Sequence, residues 1–109
     1  MKCSQEIFDL LSTLYGFSPS ESEVLTLLCE EDSMRVDEMA EKLGKDRSTV
    51  QRYVSKLNAS GLLKRRSVSA ENGRGRFYEY FIDKKSVKKR VKRRLDAWTE
   101  DKLEKLENL

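Results

Sequence analysis

Two helix-forming segments of this chain stand only a few residues apart, on either side of Gly44. Residues 37–43 place their apolar side chains at helical spacing, and Gly44 follows where helices often close in the left-handed conformation. Residues 46–57 carry apolar side chains at i, i+4 and i+7, which form one stripe of a helix. These are Val50, Val54 and Leu57. Because the link is so short, the two helices must meet in a sharp turn, and the pattern predicts a helix-turn-helix.

The face of the second helix that points away from this stripe is rich in hydrogen-bond donors and has no carboxylate beyond Asp46. Side chains of these types reach base edges and phosphates in DNA. We therefore predict that this segment is a DNA-recognition helix. Taken alone, the pattern fits an ordinary amphipathic helix with a solvated basic face equally well. The predicted DNA-binding residues of the helix are Arg47, Ser48, Thr49, Gln51, Arg52, Ser55 and Lys56.

Helix starts can be placed at two points of the sequence. Residues 18–21, Ser-Pro-Ser-Glu, supply an N-cap, a proline in the first turn and a capping-box glutamate. For the recognition helix, Ser48 followed three residues later by Gln51 has the capping-box spacing, and Asp46 is a second N-cap candidate. Residues 4–15 show the apolar periodicity of a further amphipathic helix, which precedes these two.

The charges of the chain are strongly segregated, although its net charge is only +3. Residues 1–45 hold 4 basic and 10 acidic side chains, whereas residues 46–94 hold 16 basic and 4 acidic ones. Residues 95–109 return to acidic, with 2 basic and 5 acidic side chains. A salt-tolerant surface would intersperse both signs. The basic middle block therefore points to a polyanionic partner, and double-stranded DNA is the first candidate.

Cys3 and Cys29 are the only cysteines of the chain, and it contains no histidine. A structural zinc site needs about four Cys or His ligands, so no metal and no other cofactor is expected. Two thiols 26 residues apart do not predict a disulfide framework. Cys29 follows two leucines and is predicted to be a small core residue. A redox role for either thiol stays open.

The composition excludes several classes of protein. Apolar residues make up 38% of the 109 residues and charged residues another 38%, so the core is modest and an elongated shape or an oligomer is expected. No run of 18 uncharged apolar residues and no signal-peptide pattern occurs, so we expect a cytoplasmic protein without a membrane partner. Without a histidine, a serine elbow or a phosphate loop, we predict that it is not an enzyme.

A β-hairpin is predicted after the recognition helix. Residues 62–69 and 76–82 read as strands, and Asn72-Gly73 between them is a strong hairpin signal. With Asn72 and Gly73 as the turn, facing residues add up to 145. The cross-strand pairs are then Arg66 with Glu79, Val68 with Phe77, and Leu63 with Ile82. Aromatic residues occupy both faces, so the pattern does not decide which face packs on the helices.

The hairpin carries arginines at or beside its tip. Arg74 and Arg76 lie there, and Arg65 lies on the first strand. Beside a recognition helix, such a tip reaches the neighbouring minor groove or phosphates, so these three are predicted DNA-binding residues. A solvated hairpin with scattered charge is the alternative.

From residue 84 to residue 109 the sequence contains no glycine or proline, which predicts one long helix. Its apolar side chains fall within about 160° of arc at ~100° per residue. A helix this long cannot bury that stripe wholly against its own body, so we predict a homodimer that pairs through it. The predicted interface residues are Val87, Val91, Leu95, Trp98, Leu103 and Leu106.

The charges of this last helix are polarised, with a basic first half and an acidic second half. In an antiparallel pair, the basic half of one chain would lie near the acidic half of the other. Alternatively, the basic half faces DNA phosphates and the acidic half points away. Parallel and antiparallel pairing both stay open at this point.

Helices followed by a hairpin is the order of a winged helix-turn-helix, and three stretches resemble TrmB-like and MarR-like regulators. Residues 17–28 (FSPSESEVLTLL) are similar to their opening helix, and residues 34–44 (MRVDEMAEKLG) to their first motif helix. Residues 47–57 (RSTVQRYVSKL) with 61–63 (GLL) resemble their recognition helix and first wing strand. The resemblance covers about residues 5–82.

The resemblance implies a dimeric, DNA-binding transcription regulator. Its fold class would be mainly α with a small β-hairpin wing (α+β): a winged helix-turn-helix domain over residues 1–83 and a C-terminal dimerisation helix over residues 84–109. By position, residues 46–60 would read the major groove and the wing at 70–76 would contact phosphates or the minor groove. These 109 residues hold no counterpart of the large TrmB sugar-binding domain and a shorter N-terminal dimerisation region than MarR proteins have. The resemblance therefore does not imply small-molecule control, and an effector stays unknown.

A second reading of the sequence is a winged-helix adaptor. Such a protein would use the same fold to bind another protein inside a transcription or replication assembly. A stable hetero-complex without DNA binding would distinguish it from a regulator.

Overall fold

The computed structural model describes residues 3–109. The described residues form five α-helices and one two-stranded antiparallel hairpin. In chain order these are α1 (Gln5–Tyr15), α2 (Pro19–Glu30), α3 (Val36–Leu43), α4 (Arg47–Ala59), β1 (Lys64–Ser69), β2 (Arg76–Phe81) and α5 (Lys84–Glu107). The predicted α+β class, a winged helix-turn-helix followed by a long helix, is confirmed.

The core is built from the apolar stripes of α2, α3 and α4. Val24, Met39 and the whole predicted stripe of α4 have no exposed surface. Leu62 and Leu63 lie between the end of α4 and the start of the hairpin. They complete the core there and are at most 2% exposed. Full burial of one such side chain stabilises the fold by about 1.5–3 kcal/mol. The helices that carry the turn are therefore held by the body of the protein and not by their own propensity.

Gly44 forms the turn between α3 and α4 as predicted. It adopts the left-handed conformation with φ 63°, and its N–H donates to the carbonyls of Ala40 and Glu41. The N–H of Lys45 also donates to the Ala40 carbonyl, at 3.1 Å. The N–H groups of the two residues after α3 thus hydrogen-bond its last carbonyls. The helix ends there, and α4 begins only a few residues later.

The predicted start of α2 is confirmed, and of the two N-cap candidates for α4 the structure has Asp46. Ser18 caps α2: its Oγ accepts from the backbone N–H of Glu21 at 3.3 Å. α4 begins at Arg47 with Asp46 as its N-cap, so Ser48 already lies in the first turn. The Gln51 side chain bonds Ser55 Oγ at 3.1 Å instead of closing a capping box with Ser48.

The strand register of the hairpin is the predicted one, but its turn differs. Arg66 faces Glu79 and Val68 faces Phe77, whereas the expected Leu63–Ile82 pair lies beyond the strand ends. The loop closes between Ala70 and Gly75, where the Ala70 N–H donates to the Gly75 carbonyl at 3.2 Å. Within residues 3–109 only glycines have positive φ, so Asn72 does not adopt the conformation that a two-residue type I′ turn requires. A four-residue loop keeps the same register.

The outer edge of β2 pairs with Met34 through a single antiparallel β-bridge to Tyr80. Tyr80 is 3% exposed beside it, while Tyr78 on the same face is 47% exposed. On the other face, the guanidinium of Arg35 lies 4.8 Å from the ring centroid of Phe77. The tyrosine face therefore packs on the helices only at the base of the wing, because the tip extends beyond the body.

The two cysteines form a disulfide, contrary to the expectation from their spacing. Cys3, just before α1, is bonded to Cys29 near the end of α2. Cys29 is 5% exposed, so its predicted core position is confirmed while its free thiol is not. The pairing arises because α1 and α2 bring two residues 26 positions apart to neighbouring sites, which no local pattern reveals.

α5 leaves the body as a rod, and the described chain measures 62 × 26 × 23 Å. Val87 and Val91 pack partly against the core, and the Arg94 Nε donates to the Leu14 carbonyl at 3.1 Å. Beyond this anchor, Trp98 and the apolar residues after it are exposed. Across residues 3–109, no helix is both long enough and apolar enough to cross a membrane.

Reduction of the Cys3–Cys29 disulfide should lower the free energy of unfolding by about 3–4 kcal/mol, because the bond closes a loop of 26 residues in the unfolded chain. Thermal unfolding with and without a dithiol reductant measures the effect. The Cys3→Ser variant should unfold like the reduced protein and should not respond to reductant. An unchanged Tm after complete reduction would contradict the prediction.

Candidate nucleic-acid interface

The outer face of α4 carries the predicted donors because its opposite face is buried. Arg47, Ser48, Arg52 and Ser55 are exposed, while Thr49 and Gln51 are half-buried at the border of the stripe. Helical geometry turns residues near i+2 away from a stripe at i, i+4 and i+7. The structure therefore brings these six predicted residues together on one surface.

Arg47 and Arg52 are the unengaged charges of this surface. Within residues 3–109, neither side chain makes a hydrogen bond, a salt bridge or a contact with an aromatic ring. The neighbouring polar residues Gln51 and Ser55 are bonded to each other. Two guanidinium groups with five donors each thus point outward from a helix that is fixed in the core.

Lys56 has a structural role that its position on the basic face did not reveal. Its Nζ lies 3.1 Å from Oε1 and 3.0 Å from Oε2 of Glu21. Glu21 is only 7% exposed and caps the start of α2, so its carboxylate needs a counter-ion. Lys56 also lies over the ring of Phe17, at 5.8 Å from its centroid. This lysine therefore fixes α4 to α2, while about half of its side chain remains exposed.

The three predicted wing arginines differ in how they are held. The Arg76 guanidinium lies across β1 and donates to Ser67 Oγ at 2.6 Å and Ser69 Oγ at 3.0 Å. Arg65 lies over the Tyr78 ring, 4.2 Å from its centroid. Arg74 at the tip is exposed, and its side chain has no partner in the described part of the chain. Arg74 is thus the unengaged cation of the wing tip, whereas Arg76 joins β2 to β1 through its side-chain hydrogen bonds.

Two basic residues that belong to the same block fasten the wing to the body. Arg66 lies 3.5 Å from the carboxylate of Glu79 on the facing strand and donates to Ser33 Oγ of the body at 3.3 Å. A hydrogen bond from Ser33 together with this cation lowers the pKa of Glu79. Lys64 donates to Asp83 at 2.7 Å and holds the pKa of that carboxyl below its usual value. The predicted register already indicated the Arg66–Glu79 pair. The Lys64–Asp83 pair, which joins the wing to the start of α5, had no local signal.

A basic strip on α5 was not among the predicted DNA-binding residues. Arg90 packs so closely on Gly61 that a Cβ there would come within 2.5 Å of its guanidinium. With this contact, the first half of α5 lies beside the C-terminal end of α4. The side chains that line the open groove at this junction include Lys89, Arg90, Arg93 and Arg94. Contact of the basic half of this helix with DNA phosphates is one of the two alternatives that its polarised charges left open.

The predicted interface residues of α5 fall into two groups. Val87, Val91 and Leu95 border an apolar groove of about 380 Å³ between α1 and α5. Trp98, Leu103 and Leu106 lie beyond the body and are 40%, 55% and 63% exposed. The stripe is therefore continuous along the helix, but only its first half is shielded by this chain.

The comparisons with known proteins agree with this architecture. A family model described as "Sugar-specific transcriptional regulator TrmB" matches residues 11–84. The uncharacterized protein MJ1503 of Methanocaldococcus jannaschii is 33% identical over 98 residues, which cover 88% of this chain and 74% of that protein. The family match confirms the resemblance to TrmB-like regulators.

Two solved structures support the fold. A possible transcriptional regulator from Methanosarcina mazei aligns with a TM-score of 0.78 at 22% identity, covering 99% of this chain and 92% of that one. The ST1889 protein from Sulfolobus tokodaii aligns with a TM-score of 0.69 at 22% identity, covering 87% of this chain and 90% of that one.

Lys56→Ala should lower the free energy of unfolding by about 1–3 kcal/mol, because it leaves the buried Glu21 carboxylate without its cation. Denaturant titration measures the change. Arg47→Ala is the matched control: it removes an exposed, unengaged cation from the same helix and should stay within about 0.5 kcal/mol of the parent. Equal stability of the two variants would show that the Lys56–Glu21 pair does not hold α4.

Proposed function

Because the chain belongs to the TrmB family of transcriptional regulators, we propose that it is a homodimeric regulator that binds specific DNA sites. α4, with its flanks at residues 46–60, enters the major groove. The wing at residues 70–76 contacts phosphates or the minor groove. The observation that carries the proposal is the outward-facing, unengaged pair Arg47 and Arg52 on a helix whose other face is locked in the core.

The two ends of the α4 surface suit different parts of DNA. Arg47, Ser48 and Thr49 lie in the first turn, where free backbone N–H groups and the helix dipole favour phosphate. Gln51, Arg52 and Ser55 lie further along, on the face that would meet base edges. An arginine with two free donors can bind a guanine bidentately, so Arg52 is the main candidate for base selection.

The wing and the start of α5 supply charge on either side of α4. Arg74 extends from the wing tip, with Arg65 and Arg76 behind it on the strands. Contacts of this kind position a protein on the duplex and add affinity that depends little on sequence. The engagement of Lys56 with Glu21 makes it a support for the helix in this scheme, although it was predicted as a DNA ligand.

Dimerisation would use the apolar stripe of α5. Trp98, Leu103 and Leu106 are too exposed for a helix that stays single in water. Pairing of two such helices would hold two copies of α4 at a fixed spacing and select half-sites about one helical turn, ~10 bp, apart.

The same exposed stripe also fits the adaptor reading, in which α5 binds a different protein. The two candidates differ in their DNA binding. A preference for particular sites favours the regulator, whereas absence of DNA binding together with a stable hetero-complex favours the adaptor.

DNA affinity should fall steeply with salt. If a dimer neutralises roughly eight phosphates, log affinity should decrease with log salt at a slope near −7. Fluorescence anisotropy at several salt concentrations, on fragments selected from genomic DNA by the purified protein, measures the slope and the site preference. A slope near zero, or equal affinity for selected and random fragments, would refute the proposal.

Arg52→Ala and Arg74→Ala should have different effects. Arg52→Ala should reduce the discrimination between a selected site and random DNA by about 1–3 kcal/mol for each half-site. Arg74→Ala should weaken binding to both and reduce the salt slope by about two, because each subunit of the dimer loses one phosphate contact. Lys105→Ala, which removes one cation near the far end of α5, is the control and should change neither quantity. A uniform loss for Arg52→Ala would mean that it contacts phosphate and not bases.

A further inference from the structure

The first half of α5 borders a groove that is apolar along its floor and basic along its edge. The floor is lined by side chains of α1 and α5, among them Ile7, Leu10, Leu11, Val91 and Leu95. Ile7 is 46% exposed at one side of it. Lys84, Lys88 and Lys92 line the same groove at spacings of one helical turn. An occupant must therefore be apolar on one face and acidic beside it.

The second half of α5 has these two properties. Trp98, Leu103 and Leu106 form its exposed apolar face. Glu100 and Glu107 stand beside that face, seven residues or two helical turns apart. Neither forms a salt bridge within residues 3–109, whereas the neighbouring Asp101 is already paired with Lys105 at 3.0 Å.

A second observation concerns the free lysines of the first half. Lys85 and Lys92 are also seven residues apart, are exposed, and make no salt bridge in the described chain. One half of α5 thus complements the other half in apolar surface and charge.

We propose that a second copy of this chain occupies the groove with its residues 98–109, so that the two α5 helices pair antiparallel. Facing residues then add up to about 193: Val87 meets Leu106 of the partner subunit, Val91 meets Leu103 of the partner subunit, and Leu95 meets Trp98 of the partner subunit. In the same register, Lys92 faces Glu100 of the partner subunit and Lys85 faces Glu107 of the partner subunit. This inference rests on the proposed homodimer and specifies its geometry.

Electrostatics selects this orientation over the parallel one. Residues 84–94 carry eight basic and no acidic side chains. A parallel pair would place this run beside the same run of its partner, and like charges side by side on helices are destabilising. The antiparallel pair places each basic run beside the acidic half of the other chain. A two-fold axis near residue 97 makes both ends of the interface equivalent.

Charge reversal tests the register in the full-length protein. The Lys85→Glu/Lys92→Glu variant should raise the Kd of the dimer on the order of 10- to 100-fold at low salt, since it replaces four attractive pairs per dimer by repulsive ones. Adding Glu100→Lys and Glu107→Lys to the same chain restores opposite charges in every pair. This four-site variant is the matched control, and its Kd should return to within about 3-fold of the parent. Sedimentation equilibrium without DNA measures each Kd, and circular dichroism verifies that each variant is folded.

The outcomes separate this inference from the proposed function. A parent protein that is monomeric would overturn both the homodimer and this geometry. A dimeric parent whose Kd is unchanged or lowered by Lys85→Glu/Lys92→Glu would overturn only the antiparallel register and would leave the DNA-binding dimer in place. The register also fails if the two reversals weaken DNA binding but not the dimer, because these lysines would then contact phosphates. Loss of the dimer in the two-site variant and its recovery in the four-site variant would support the proposal.

Discussion

The burial of one stripe on α4 determines the rest of the structure. Val50, Val54 and Leu57 have no exposed surface, and together their burial stabilises the fold by several kcal/mol, at about 1.5–3 kcal/mol each. Rotation of the helix about its axis would expose them, so this stripe fixes which side chains face outward. Arg47 and Arg52 point into solvent as a consequence. Gly44, the wing and the Lys56–Glu21 pair then hold the helix in that orientation.

The basic residues of the middle block serve two purposes that net charge cannot distinguish. Some of them stabilise the fold: Lys56 neutralises a buried carboxylate, Lys64 fastens the wing to α5, and Arg76 lies across β1. Others, such as Arg52 and Arg74, have no partner in the described chain and are available to a polyanion. The proposed DNA contacts rest on the second group. The first group keeps the wing and α4 in a fixed relation, which the proposed binding to spaced DNA sites requires.

Predictions from the sequence succeeded where short-range geometry decides the outcome. The left-handed Gly44, the Ser18 cap and the strand register each depend on residues within a few positions of one another. They were incomplete where two local solutions compete. The sequence left Asp46 and Ser48 open as N-caps of α4, and the structure has Asp46. A four-residue loop replaced the two-residue turn at Asn72 without altering the register. A local pattern indicates which caps and turns are possible. The conformation of the neighbouring segments determines which of them forms.

The sequence by itself determined the winged helix-turn-helix order, the outward-facing polar and basic surface of α4 and the apolar stripe on α5, because periodicity and turn chemistry are local properties of the chain. Only the tertiary structure decided the pairing of Cys3 with Cys29, the attachment of Lys56 to Glu21 and the division of the α5 stripe into a shielded and an exposed half. Each of these joins residues that are far apart in the chain, or depends on where the body ends. Such contacts exist only after the helices have packed, so no spacing in the sequence encodes them.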